Sequence, residues 1–498
     1  MKPVDLEKTY QEVLTYQKET AHLGGALSLL GWDQRTHIPL GGHAGRAEQI
    51  GALVRVLHQR STSPELGQKL AALAEWQAGA TETVNIREWR RDYQRQVQIP
   101  EALAVELAQA SSASGSAWEV ARPKNDWASF APHLAKVIEL TRERAAILAG
   151  GGPLYDALLE DYEPGVNQKE LQEIFTPLRA GLVQLLEKIR ASNREFQSLL
   201  GNYPVAAQDE LGREVLRSLG YDFNQGRLDP TAHPFSTGIG PGDVRITTHY
   251  YQEDFASALF SSVHEMGHAL YELGLPAEHY GTPCGEAVSL GIHESQSRSW
   301  ENLVGRSLGF WRHFYPMAQR YFPSLNLSLA DFYAAINQVN PGLIRIEADE
   351  VTYNLHILVR FELEPQIIAG SLTVADIPEA WNAAYHANLG ITPPDYAAGV
   401  MQDVHWSEGN FGYFPTYTLG NLYGAQFFAA AQHQLGDLEA AFARGEFAPF
   451  LAWLRTNIHS QGRRLPAVEL VKQVTGQEPS PAALLEYLNQ KYAPIYGF

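Results

Sequence analysis

The sequence has 498 residues, of which 45% are hydrophobic and 19% are charged, values typical of a globular protein with a large core. Its net charge of −18 repels phosphate backbones and anionic lipid heads, so neither nucleic acid nor membrane is expected as a partner. The single cysteine, Cys284, excludes an intramolecular disulfide framework. The first residues contain no apolar secretory segment, which predicts a cytoplasmic location.

Helical periodicity dominates the chain from its beginning. Leu6, Tyr10, Val13 and Leu14 recur at helical spacing, and residues 134–148 repeat the pattern. No linker divides the chain. The sequence therefore predicts a mainly α fold, with residues 1–498 forming a single domain.

Residues 202–251 are predicted to interrupt the helices. This interval contains "HPFSTGIGPGDVRITTHYY", in which the glycines and prolines favour turns and "DVRITTHYY" alternates like a strand. A small β-sheet is therefore expected just before the next helix.

That next helix contains "FSSVHEMGHALYELG", residues 260–274. Side chains four apart share a helix face, so His264 and His268 can direct two imidazoles at one ion. Glu265 lies beside that face, within reach of a metal-bound water, in the order typical of zinc peptidases. Gly267 permits close approach of a neighbouring element. The alternative is a pair of ordinary core or surface histidines.

A catalytic zinc takes a third protein ligand. The metzincin pattern requires histidine at position 274, where this chain has Gly274, so that class is excluded. The other common solution is a glutamate on a following helix. Glu286, Glu294 and Glu301 all qualify, and spacing does not choose among them.

Several separate blocks of the sequence resemble the carboxypeptidase Taq family of metallocarboxypeptidases. The blocks occur in the family order, and the resemblance extends over essentially the whole chain. They are "DVRIT" at 243–247, "HEMGH" at 264–268, "HESQ" at 293–296, "IRIEAD" at 344–349 and "GVMQDVHW" at 399–406.

The resemblance implies that Glu294 is the third ligand. It also implies Zn²⁺, with Co²⁺ able to substitute, a homodimer, and broad release of C-terminal amino acids from peptides, with C-terminal proline disfavoured. The implied fold is almost wholly helical, with a deep substrate groove and a small sheet beside the metal site, similar to neurolysin and angiotensin-converting enzyme. On this fold the N-terminal helices, about residues 1–75, are the candidate lid over the groove.

The mechanism requires a base and oxyanion donors. Glu265 is expected to take the proton of the attacking water and pass it to the leaving amine. His405 and Tyr417 match the spacing of a donor pair in related groove-shaped peptidases. Tyr413 is the fallback tyrosine and a candidate substrate contact. The alternatives are a hydrogen-bonded core histidine and a packing tyrosine.

An exopeptidase must also bind the terminal carboxylate of its substrate, for which arginine is well suited. Arg345 is the first candidate, although a helix salt bridge to Asp349 would also explain it. Arg245 is the second candidate, and its alternative is a structural arginine held by Asp243.

Two further carboxylates, Glu272 and Asp403, could orient the imidazoles, although solvated or structural roles are the simpler interpretation. His293 adjoins Glu294 and so points about 100° away on a helix, which makes it a poor ligand candidate.

The function expected from these residues is that of a zinc metallocarboxypeptidase. An oligo-endopeptidase on the same scaffold would use the same chemistry without the carboxylate anchor. A catalytically silent helical peptide-binding protein is the rival from another class.

Overall fold

The computed structural model describes residues 5–498, and helices make up most of this range. The mainly α fold is therefore confirmed. Within the described range no helix has both the length and the apolar character needed to cross a membrane. The helices are α1 Leu6–Thr36, α2 His43–Ser61, α3 Pro64–Ala72, α4 Ala80–Gln98, α5 Glu101–Ala121, α6 Trp127–Ala149, α7 Leu154–Leu159, α8 Gln168–Ala191, α9 Val205–Leu219, α10 Phe255–Gly274, α11 Leu290–Arg298, α12 Leu308–Tyr321, α13 Leu329–Ile336, α14 Thr352–Ala369, α15 Ile377–Leu389, α16 Pro415–Leu435, α17 Leu438–Ala443, α18 Ala448–Asn457, α19 Ala467–Thr475 and α20 Ala482–Tyr496.

Three short strands form one sheet. They are β1 Leu228–Pro230, β2 Ser236–Gly240 and β3 Asp243–Thr248, in the order β1-β3-β2. β3 pairs parallel with β1 and antiparallel with β2. Gly242 has a φ of 79° in the tight turn between β2 and β3, a conformation that favours glycine. The small sheet predicted just before the motif helix is confirmed.

The first part of the interval 202–251 is helical, so the expectation that the whole interval interrupts the helices is wrong. α9 lies there, and its buried residues Leu211, Val215, Leu216 and Leu219 follow helical spacing. The glycines and prolines that suggested a non-helical interval are concentrated after α9, around the strands.

Glycines allow close packing between the helices at the centre of the molecule. A Cβ at Gly267 on α10 would lie 2.5 Å from the Cα of Ser297 on α11. A Cβ at Gly420 on α16 would lie 2.6 Å from the Cβ of Glu294. The close approach expected at Gly267 is thus confirmed, and α11 lies pressed between α10 and α16.

Hydrophobic residues form two separate cores. The larger core contains α10, α11, α14 and α16 and surrounds the centre of the molecule. The smaller core lies between α1, α3 and α4 and contains Tyr10, Val13, Leu66, Leu70, Leu73, Ile86 and Trp89. The N-terminal helices therefore share a core with α4. Residues 1–4 of the predicted lid segment lie outside the described range.

Candidate active site

α10 positions the two motif histidines. Asp254 caps its first turn by accepting hydrogen bonds from the backbone N–H groups of Ala256 and Ser257. One turn apart, the rings of His264 and His268 have centroids separated by 5.0 Å. The two imidazoles share one face of the helix and point toward α11.

Glu294 on α11 lies opposite the two histidines. Its Oε2 is 3.4 Å from His268 Nε2 and 3.8 Å from His264 Nε2. The three side chains offer ligand atoms that all lie within 4.8 Å of one another. Two imidazole nitrogens and one carboxylate oxygen, largely buried, form a donor set that fits a divalent metal.

The other two glutamates left open by spacing have different contacts. Glu286 pairs with Arg463 at 3.1 Å. Glu301 accepts a hydrogen bond from His264 Nδ1 at 2.8 Å, on the side of the ring opposite the nitrogen that faces Glu294. Such a carboxylate fixes the tautomer and orientation of an imidazole and leaves its Nε2 free to bind metal.

His268 is held by a longer chain of contacts. Its Nδ1 lies 2.6 Å from His293 Nδ1, and His293 Nε2 lies 2.8 Å from Glu272 Oε1. Glu272 therefore contacts a motif histidine only indirectly, through His293. This hydrogen bond gives it a structural role rather than that of a freely solvated carboxylate. His293 contacts the outer nitrogen of His268 and lies outside the three-donor cluster, as the helical geometry predicts.

Glu265 is buried on α10 between the two histidines. Burial raises the pKa of its carboxyl to about 7, and the charges of Glu294 and Glu301 act in the same direction while His264 opposes them. A cation bound at the donor cluster would lower this pKa, because an opposite charge favours the ionised carboxylate.

His405 and Tyr417 lie together, as their spacing predicts. His405 Nε2 is 3.4 Å from Tyr417 Oη, and the Tyr413 ring lies 5.3 Å from that of Tyr417. Burial lowers the pKa of His405 to about 4, so its imidazole is neutral at pH 7. Burial raises the pKa of Tyr417 well above its usual value, which keeps the phenol protonated. Both groups can therefore donate hydrogen bonds.

Arg345 does not form the alternative helix salt bridge with Asp349. It lies in a short 3₁₀ turn, and Asp349 instead caps α14 by accepting from the backbone N–H of Thr352 at 2.9 Å. The guanidinium of Arg345 donates to Asp403 Oδ1 from Nη2 at 2.7 Å. Arg360 donates to the other oxygen of Asp403. Asp403 thus contacts two arginines rather than a motif imidazole.

This cluster of Arg345, Arg360 and Asp403 is buried and carries one positive charge in excess. Arg345 is 5% exposed and Arg360 is fully buried. Burial raises the pKa of Asp403, but the two guanidinium groups lower it further, so the carboxylate is ionised. Nη1 of Arg345 also donates to Tyr353 Oη at 3.1 Å, and the guanidinium lies 5.1 Å from the centroid of the Tyr417 ring, one of the catalytic candidates.

Arg245 on β3 forms the ion pair that its alternative predicts. Its Nε and Nη2 each donate to Asp243 at 2.8 Å. The guanidinium also lies 4.3 Å from the centroid of the Trp32 ring, and Arg227 lies against the same ring at 4.9 Å. Arg245 therefore holds α1 against the sheet, a contact that its position in the sequence did not reveal.

A cavity of about 810 Å³ reaches His293, which contacts His268, but none of the three metal donors lines it. His293 and Tyr162 line it near the candidate metal ligands. The wall includes His58 of α2, Arg91 of α4 and Leu107 of α5. N-terminal helices thus contribute to this cavity, which is large enough for several peptide residues.

Four residues that contact the site were not singled out in the sequence, namely Arg360 and Tyr353, described above, and Arg298 and Glu163. Arg298 donates from Nε to Glu294 Oε1 at 2.7 Å, and the i, i+4 spacing on one helix could have found it. Glu163 caps the start of α11 by accepting from Gly291 N at 2.8 Å and Ser289 Oγ at 3.0 Å. No local pattern links Glu163 to a helix more than 120 residues away.

The chain is similar to known proteins over nearly its whole length. A model of the carboxypeptidase Taq (M32) metallopeptidase family matches residues 12–492. Thermostable carboxypeptidase 1 of Thermus thermophilus is 55% identical over 507 aligned positions, which cover 99% of each chain. Carboxypeptidase 1 of Bacillus subtilis is 39% identical over 97% of this chain and 99% of that protein.

The structural comparison agrees with these matches. The crystal structure of an M32 carboxypeptidase from Deinococcus radiodurans superposes with a TM-score of 0.96 at 40% identity, covering 99% of this chain and 100% of that chain. The chain therefore belongs to the carboxypeptidase Taq (M32) family of metallopeptidases and is a metallocarboxypeptidase.

Proposed function

We propose that this metallocarboxypeptidase uses Zn²⁺, held by His264, His268 and Glu294, to release single amino acids from the C-terminus of peptides. The observation that carries the proposal is the cluster of three donors within 4.8 Å of one another on two packed helices. The mixed nitrogen and carboxylate set suits Zn²⁺, and Co²⁺ accepts the same ligands and can substitute. When bound, the ion would lower the pKa of a coordinated water to about 7 and polarise the scissile carbonyl.

Glu265 is the proposed general base. It follows His264 directly, and its carboxyl interacts with the charges of His264 and Glu294, so it lies close to the donor cluster without belonging to it. Because a bound cation lowers its pKa, the carboxyl is ionised at neutral pH and can take a proton from water and return it to the leaving amine.

His405 and Tyr417 are the proposed donors to the oxyanion, with Tyr413 as a further substrate contact. The neutral imidazole and the protonated phenol can each donate to the developing negative charge. Because both are largely buried, little reorganisation is needed when that charge forms.

Arg345 is the proposed anchor for the terminal carboxylate, and Arg245 is the second candidate. The excess positive charge of the cluster formed by Arg345, Arg360 and Asp403 supports the first choice, because a buried unbalanced cation is stabilised by an incoming anion. Both arginines are already paired, Arg345 with Asp403 and Arg245 with Asp243, and Arg345 is preferred because its cluster keeps a positive charge in excess.

The proposed contacts also account for specificity. Anchors that bind the terminal carboxylate read the backbone rather than the side chain, so a broad preference follows. A C-terminal proline makes the scissile nitrogen tertiary, which removes its N–H group and restricts φ, and such substrates are disfavoured.

The wider architecture remains part of the proposal. We infer a single peptidase domain with a groove like those of neurolysin and angiotensin-converting enzyme, covered by the helices within about residues 1–75. The helices α1 and α3 pack with α4 in a core separate from the main one, so a lid that moves as a unit would include α4 as well as residues 1–75. The homodimer follows from the family resemblance alone, and a cytoplasmic location completes the proposal.

The two alternative functions, an oligo-endopeptidase and a silent peptide-binding protein, each conflict with one feature of the site. An oligo-endopeptidase would act without a terminal anchor, so the buried excess charge near Arg345 argues against it. A silent peptide-binding protein would not need Glu265 beside an assembled donor cluster.

The test is mass spectrometry of two peptides that differ only in a free or amidated C-terminus, each incubated with protein loaded with Zn²⁺ or Co²⁺. Stepwise loss of single residues from the free peptide, abolished by a chelator, is the expected result. Internal cleavage of both peptides would favour the oligo-endopeptidase. No cleavage by protein with verified metal content would favour the binding protein.

A further inference from the structure

A positively charged side chain, that of Arg298, contacts one of the three candidate metal ligands. Arg298, at the end of α11, has a side chain that is only 14% exposed. Its Nε donates to Glu294 Oε1 at 2.7 Å, and its Nη1 donates to Glu301 Oε2 at 3.2 Å. The same Glu301 oxygen contacts His264 Nδ1 at 2.8 Å. One guanidinium therefore links the third candidate ligand to the carboxylate that orients the first.

A fixed positive charge beside a metal site is electrostatically unfavourable for binding a cation. An effect of Arg298 on the metal ligands must therefore offset its repulsion of the metal cation. The contacts of Arg298 indicate that this effect is geometric, because its Nε donates to one particular oxygen of Glu294.

The two carboxylate oxygens of Glu294 have different surroundings. Oε1 is held by Arg298, whereas Oε2 faces both histidines and accepts from Ser297 Oγ at 3.0 Å. Arg298 is itself fixed, because its guanidinium lies 4.1 Å from the centroid of the Tyr353 ring. Gly420 packs against the Glu294 side chain from the other side, so the carboxylate has little freedom to turn.

We propose that Arg298 is a positioning residue that restricts Glu294 to one metal-binding oxygen, Oε2, by occupying Oε1. The inference rests on the proposed ligand set of His264, His268 and Glu294. A carboxylate with both oxygens free can bind a metal through two atoms. Two histidines and one oxygen leave positions for water and substrate, and a second carboxylate oxygen would fill a position that catalysis needs.

The test is the visible absorption spectrum of the Co²⁺-loaded protein, which loses intensity as the coordination number rises. Arg298→Met frees Oε1 and is expected to weaken the absorption severalfold, with kcat falling roughly 10- to 100-fold and KM changing much less. Bound Co²⁺ is quantified in each sample by elemental analysis, so the spectral change is separated from lost occupancy.

Arg306→Met is the matched control. Arg306 approaches the other oxygen of the same network, Glu301 Oε1, at 4.0 Å and lies 3.8 Å from the Phe260 ring centroid. Its replacement removes a neighbouring, partly exposed cation from Glu301 while the Arg298 contact to Glu294 stays in place. The Co²⁺ spectrum of this variant is expected to match that of the unmodified protein.

The outcomes separate the inference from the ligand set. An unchanged spectrum in fully loaded Arg298→Met, or an equal change in Arg306→Met, overturns the role of Arg298 and leaves the ligand set intact. A Co²⁺ spectrum that persists unaltered in His264→Ala overturns the ligand set itself. Should Arg298→Met fail to fold, Arg298→Leu replaces it. Leucine has no donor for Oε1, so the same loss of absorption is expected, and an unchanged spectrum refutes the proposal.

Discussion

Replacement of Arg345 tests how the enzyme distinguishes a chain end from a chain interior. In Arg345→Met, Asp403 keeps Arg360 as its partner, so the buried cluster changes from one excess positive charge to none. Because an ion pair remains, folding is expected to survive the substitution. The lost function is the attraction for the terminal carboxylate of the substrate.

The size of the effect follows from the burial of Arg345. Two unit charges at about 4 Å interact by about 4 kcal/mol at the effective dielectric of a protein site. Since about 1.4 kcal/mol corresponds to a factor of ten, kcat/KM for a free peptide is expected to fall about a thousandfold. Arg345→Lys keeps the charge but loses the planar pair of donors, so a smaller loss is expected.

The assay compares kcat/KM for peptides with free and amidated C-termini. The unmodified enzyme is expected to prefer the free peptide strongly, and Arg345→Met should reduce that preference to near unity. Metal content and near-UV circular dichroism serve as controls for folding. An equal loss on both peptides would assign Arg345 a purely structural role, and an undiminished preference would transfer the anchor to Arg245.

Four further predictions concern the base, the metal, the buried carboxyls and the N-terminal contact. Glu265→Gln should lower kcat by a factor of about 10² to 10⁴ while Zn²⁺ binding, measured by chelator competition, is retained; undiminished turnover would refute the mechanism. Chelation should abolish hydrolysis, and added Zn²⁺ or Co²⁺ should restore it; hydrolysis by fully metal-free protein would contradict the metal requirement. Burial raises the pKa of Glu163 and Glu364 to about 7. Because the folded state then binds protons more tightly than the unfolded state, the thermal stability of the metal-free protein should fall as the pH rises from 5 to 8. Glu163→Gln should make the melting temperature depend less on pH, and an unaltered slope would count against a contribution from Glu163. Trp32→Ala should destabilise the contact of α1 with the sheet by about 3 kcal/mol and speed proteolysis in residues 5–75 relative to the rest of the chain; an unchanged cleavage pattern would argue against Trp32 as the attachment point.

The arrangement of the motif helix could be predicted from the sequence because its determinants are local. Helical spacing alone places His264 and His268 on one face, and Gly267 indicates close packing without naming the partner. The third ligand is different, since Glu286, Glu294 and Glu301 all follow the motif at acceptable distances. Only the packing of α11 between α10 and α16 separates the glutamate that faces both Nε2 atoms from the one that contacts an Nδ1 atom.

Charged residues were the least predictable part of the site. The i, i+4 spacing suggests a pair between Arg345 and Asp349, but the chain forms a 3₁₀ turn there and Asp349 caps the next helix. The actual partner, Asp403, lies 58 positions further along the chain. Ion pairs between distant segments leave no local pattern in the sequence. The pair of Glu294 and Arg298 does leave one, because the two residues are spaced i, i+4 on one helix.

Buried charges of opposite sign surround the candidate metal site and the proposed carboxylate anchor. At the metal end, three carboxylates, Glu265, Glu294 and Glu301, lie near two guanidinium groups, those of Arg298 and Arg306, which leaves an excess negative charge that attracts a divalent cation. At the other end, Arg345 and Arg360 share Asp403, which leaves an excess of positive charge that one carboxylate neutralises.

Tyr353 lies between the two ends. Its ring centroid is 4.1 Å from the Arg298 guanidinium, and its hydroxyl accepts from Arg345 at 3.1 Å. The Arg298 and Arg345 clusters are therefore held at a fixed separation by the packed ring of Tyr353. If Arg345 binds the terminal carboxylate and the three donors bind the metal, as proposed above, a substrate places its last residue between them, which accounts for the removal of one amino acid at a time.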